Sequence, residues 1–75
     1  MPRTNVDMTG RYIRRFNDWL RGEMKRKKVN QTVLAEYLHI AQQTLSLRMC
    51  GVSEWPFRDV LEVCEYFGTD LANII

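Results

Sequence analysis

Soft metal ligands are scarce in this chain. Of its 75 residues, two are cysteine (Cys50 and Cys64) and one is histidine (His39). Two thiols and one imidazole do not complete a structural zinc site. Two cysteines also allow at most one disulfide. Free thiols acting as small hydrophobes on helices are the better reading. No stretch approaches the roughly 18 consecutive apolar residues of a membrane span, and no apolar signal region follows the N-terminus. These absences point to the cytoplasm and away from a membrane partner. Strand-like alternation and internal repeats are missing too. Enzyme chemistry finds no footing, because there is no glycine-rich phosphate loop and the lone histidine has no predictable acid partner. Glu62 and Glu65 lie a turn apart and read as a solvated helix face. We therefore expect no catalytic residues, no metal and no cofactor.

Length allows one domain and a thin core, since so short a chain buries only about 60% of its unfolded surface. Its net charge of +2 conceals an asymmetry. Residues 1–50 hold ten Lys/Arg against four Asp/Glu, whereas residues 51–75 hold Arg58 against five acids. A basic half suggests a polyanionic partner. A solvated helical surface explains the same charges without one.

Residues 1–10 lack an apolar period and contain Pro2 and Gly10. They read as a loose arm, with Asp7 or Thr9 capping the first helix and Arg3 within reach of a phosphate. Over residues 11–27, Tyr12, Ile13, Phe16, Trp19, Leu20 and Met24 recur at steps of three and four, which is one helix face. Lys25 to Lys28 crowd its last turn, where cations suit the negative end of the helix dipole. Asn30 is an N-cap for a helix over 31–38. His39 comes next, at a turn position where a positive φ is tolerated. Another helix covers 42–50 and stops at Gly51. Pro56 opens the next. Its apolar set is Phe57, Val60, Leu61, Cys64 and Phe67, its solvated acids are Asp59, Glu62 and Glu65, and Gly68 ends it. Thr69 caps a last short helix with Leu71, Ala72, Ile74 and Ile75. The sum is an all-α domain of five helices over residues 11–75.

The segment 30–51, NQTVLAEYLHIAQQTLSLRMCG, is the most informative. Val33, Leu34, Ala35 and Leu38 form one apolar set, Leu45 and Met49 a second, and Ile40 lies between. Leu45 and Met49 lie together and are read as the inward side of this helix, with Gln42, Gln43, Ser46 and Leu47 toward the other side. A helix that begins with two long amides and no core duty there suits a polar surface outside the protein.

The order of these pieces resembles the phage repressor and Cro-type helix-turn-helix family, also described as lambda-repressor-like or XRE-type. The matching positions are Asn30 and Gln31, Leu34 and Ala35, Leu38 and Ile40, Gln42 and Gln43, Leu45, and Gly51. The run PFRDVLEVCEYFGTDLANII resembles that family's fourth and fifth helices. The resemblance implies a compact lambda-repressor-like fold and sequence-specific binding to double-stranded DNA by a transcriptional regulator. It also implies the cytoplasm of a bacterial or phage-infected cell. The recognition helix would lie in the major groove, with Gln42, Gln43, Ser46 and Leu47 on base edges. Asn30, Gln31, Thr44, Arg48, Lys28 and Arg58 would meet phosphates, and Gln31 would also brace the first reader. Independently, a Gln amide offers the donor and acceptor that adenine N6 and N7 require, and Leu47 suits a thymine methyl.

This chain also departs from the pattern. Many relatives pair an Arg of the first helix with a Glu just before the glycine, at positions that here hold Met24 and Met49. The turn glycine is His39, and the hydroxyl cap before the glutamines is Ala41. A competing reading is a protein-interaction module on the same fold, such as an antitoxin or inhibitor subunit. Its contacts would be the acidic fourth helix and the apolar tail. If the chain pairs with itself, a weak or DNA-dependent homodimer is expected. Leu71, Ile74 and Ile75 are its candidate patch, with Leu71 better placed to close the core.

Overall fold

The first helical period folds as α1 (Gly10–Lys27) in the computed structural model, which describes residues 10–75. The proposed caps Asp7 and Thr9, and Arg3, lie outside the described residues. α1 buries Phe16, Leu20 and Met24, as its spacing predicts, together with the polar Asn17 and Glu23. Glu23 ion-pairs with Arg26 and with Lys27, the latter at 3.5 Å. The Arg26 hydrogen bond, opposed by burial and helped by both cations, holds the Glu23 carboxyl below its ordinary range. The helix ends at Lys28, whose φ of 59° is left-handed. The Val29 amide then donates back to the Met24 carbonyl at 2.9 Å and satisfies one terminal acceptor.

The next two helices are short. α2 (Gln31–Leu38) begins under Asn30, whose side chain accepts from the Val33 amide at 2.9 Å. It ends at His39, which holds the anticipated positive φ, here 60°. α3 (Gln42–Met49) starts at Ala41 without a side-chain cap. It stops one residue short of the predicted Cys50, and Gly51 lies just beyond at φ 85°.

α4 (Phe57–Phe67) starts directly after Pro56, which is its N-cap rather than its first turn. Gly68 closes it at φ 72°. The fifth predicted helix is only a 3-10 turn, Leu71–Asn73, preceded by Asp70 without a side-chain cap. A 3-10 turn stacks residues three apart, and Leu71 and Ile74 both pack on the core in that spacing. The architecture is thus all-α with four helices, and no strand occurs among the described residues.

Phe16, Leu20, Leu34, Leu45, Val60 and Val63 are fully buried at the centre. Trp55 joins them from the loop before α4, with its ring edge-on to Phe16 at 5.1 Å between centroids. That burial was not anticipated for a loop residue. Two apolar assignments also shift. Val33 is largely exposed, and α4 buries Val60, Val63 and Cys64 while Phe57 and Leu61 face out. Asp59 lies on the inward side with Val60, Val63 and Cys64. It was read as solvated, yet it is buried against Arg48. No buried side-chain nitrogen or oxygen among the described residues lacks a hydrogen-bond partner.

Candidate nucleic-acid interface

α3 is held from behind at its C-terminal end. The Asn17 amide Nδ2 donates to the Arg48 carbonyl at 3.1 Å, and Arg21 Nη2 donates to the Met49 carbonyl at 2.6 Å. The last carbonyls of a helix have no partners within it and carry its negative dipole end. An amide and a guanidinium from α1 therefore satisfy two of them. The other face of Asn17 accepts the Trp55 indole N–H at 2.9 Å. Loop, α1 and α3 are joined through one buried side chain.

Arg48 was expected at a DNA phosphate, and in the structure it is engaged inside the protein. Its Nη1 lies 2.7 Å from Asp59 Oδ2, with the two side chains only 14% and 10% exposed. Its guanidinium carbon is also 5.8 Å from the centre of the Trp55 ring. The charge is neutralised inside the protein by a carboxylate whose burial the sequence concealed. Met24 and Met49 are both buried in the core. An ion pair does tie α3 to the rest of the chain, but from Arg48 to α4.

At its other end α3 is open. Gln42 and Gln43 are exposed, Ser46 is half-buried, and Leu47 is 39% exposed. The four expected base readers thus share one accessible side of α3. Because Ala41 provides no side-chain cap, the first amides of α3 keep free donors. Thr44 is half-buried on this first turn. The brace on the first glutamine comes from Thr32, not Gln31. Its hydroxyl donates to Gln42 Oε1 at 3.1 Å. That bond uses one lone pair of the oxygen and leaves the second, plus both amide hydrogens, for a base edge. It also places the starts of α2 and α3 side by side, so two positive dipole ends lie together.

The remaining phosphate candidates divide by how free they are. Asn30 spends its Oδ1 on the α2 cap, and Gln31 is half-buried beside it. Lys28 is exposed just before them, and Arg58 is exposed in the first turn of α4. In the basic turn, Arg26 and Lys27 are drawn to Glu23. No ion pair is formed by Lys25 or Lys28 among the described residues.

One cleft stands apart from this surface. It has a volume of about 340 Å³ and lies at the far end of α3, between α1 and Cys50–Gly51. Among the described residues no three His, Cys, Asp or Glu side chains gather as a metal site would require, and no helix is long and apolar enough to cross a membrane. Both cysteines are free thiols. No family model, no curated protein and no solved structure matches this chain.

Proposed function

We propose that this protein binds double-stranded DNA at a specific sequence, as a repressor- or Cro-type regulator, with α3 in the major groove. The observation that carries the reading is the state of α3. One end is clamped by Asn17 and Arg21, while the other offers Gln42 and Gln43 to solvent from an uncapped helix start. A rigidly held helix with adaptable amides at its tip suits base-edge recognition. The bend at His39 and the Thr32–Gln42 bond support a helix-turn-helix arrangement, here with four helices and a closing 3-10 turn. Gln42, Gln43, Ser46 and Leu47 are the base readers. Lys28, Gln31, Thr44, Arg58 and the Asn30 amide nitrogen are the phosphate contacts, and Arg48 leaves that set. The action is binding rather than catalysis, and needs no cofactor.

Selection from random duplex DNA at several salt concentrations tests the reading. A single preferred site, with affinity falling steeply as salt rises, supports it. No enrichment at any salt concentration refutes it. Exposed Val33 and Tyr37 on α2 favour a second reading, a protein-interaction module such as an antitoxin or inhibitor subunit. A stoichiometric protein partner together with failed DNA selection would establish that alternative.

A further inference from the structure

The outer edge of α4 carries Phe57 and Leu61, one turn apart and 46% and 44% exposed. The buried side of this helix is Asp59, Val60, Val63 and Cys64. It packs on α2 and the closing 3-10 turn, on Trp19 of α1 through Phe67 and on Arg48 of α3 through Asp59. Val52, 73% exposed, stands on the loop leading into it. The charges beside the stripe run against the helix's own dipole. Arg58 lies in the first turn, Glu65 in the last, and Glu62 between them, whereas a helix favours the opposite order. Among the described residues none of the three forms an ion pair.

A second α4 laid antiparallel turns this order to advantage. Arg58 of each copy then comes beside Glu62 of the other, with Glu65 further along the axis, twice by symmetry, and the two helix dipoles oppose each other. Phe57 and Leu61 of one copy meet Leu61 and Phe57 of the other. A parallel pairing would instead set like charges together. We propose that α4 is a self-association surface, on which a second copy of this chain docks through a twofold, antiparallel α4–α4 contact. The tail is not that surface, since Leu71 and Ile74 pack on the core. Two apolar anchors per copy make a contact below the standard interface size, so the dimer is weak. Arg58 is also a proposed phosphate contact, so the dimer is tested without DNA, and the α4 surface holds whether or not α3 reads DNA.

Sedimentation equilibrium of the full chain, from micromolar to millimolar protein, tests it. Wild type passes from monomer to dimer across that range. Leu61→Glu weakens the dimer at least about tenfold, and Arg58→Glu weakens it as well. Combining Arg58→Glu with Glu62→Arg and Glu65→Arg restores it, because the charges are exchanged rather than lost. Arg58, Leu61 and Glu65 are exposed and Glu62 is half-buried, and circular dichroism of each variant verifies the helices. A chain that stays monomeric at millimolar concentration overturns the proposal and leaves the stripe to a different partner. A dimer indifferent to both Leu61→Glu and Arg58→Glu also overturns it.

Discussion

Asn17 accepts the indole N–H of Trp55 at 2.9 Å, between residues 38 positions apart in the chain. Both side chains are buried. The same Asn17 amide grips the end of α3, so one polar residue in an apolar stripe aligns three parts of the molecule. Replacing it with Ala strands the buried Trp55 indole donor, at a cost of about 1–3 kcal/mol, while the Arg48 carbonyl keeps the Gly51 amide as a donor at 3.1 Å. Asn17→Ala should therefore lower unfolding stability by about 1–3 kcal/mol, read from urea melts followed by tryptophan fluorescence. A loss under about 1 kcal/mol, on the scale of a mean hydrogen bond, would mean that water takes over the indole bond.

Arg48 and Asp59 form the second internal link, and their prediction differs in form. Removing one partner leaves an unpaired charge in a site nearly closed to water, at a cost of about 3 kcal/mol. Replacing both by apolar residues of similar size removes the charge along with its partner. Arg48→Met with Asp59→Leu should thus unfold at a higher urea concentration than either single variant. Additive single and double effects would show that the pair contributes little coupling.

The two thiols should separate cleanly. Cys50 is exposed and Cys64 is buried. Burial first, and the nearby Asp70 charge second, push the Cys64 thiol above its ordinary value. Only the thiolate reacts, so Cys64 is shielded both sterically and chemically. In native buffer near pH 8, a thiol reagent should label Cys50 alone, with Cys64 reacting only as denaturant unfolds the chain. Prompt labelling of both would mean that the contact of α4 with the closing turn opens readily.

Much of this fold was legible in the sequence, for reasons visible in particular residues. Phe16, Leu20 and Met24 keep to a helical period long enough to be unambiguous, and Asn30, His39 and Gly68 mark ends through local backbone chemistry. The features that escaped it depend on distant partners. Asp59 looks solvated by its type and becomes buried only because Arg48 arrives from another helix. Trp55 sits in a loop, and its burial is set by the acceptor on Asn17. A period cannot register such pairings. The face of α4 was misjudged for the same reason: Phe57 and Leu61 fit an apolar stripe, yet Asp59 lies on the inward side.

The exposed side of α3 was legible because Leu45 and Met49 alone fix its inward face, but its brace was not, since Gln31 and Thr32 are adjacent and only geometry chooses between them. That choice yields a test. Thr32 donates to Gln42 Oε1 at 3.1 Å and so holds the first glutamine in one orientation. On the selected DNA site, Gln42→Ala should cost about 1–3 kcal/mol and relax one base position. Thr32→Ala should cost less, because the glutamine remains and loses only its orientation. In the double variant the Thr32 effect should vanish, since there is no amide left to orient. Measured as binding constants on one site at fixed salt, the double loss should therefore equal that of Gln42→Ala alone. Fully additive losses would show that Thr32 acts on the DNA directly, for instance at a phosphate, and not through Gln42.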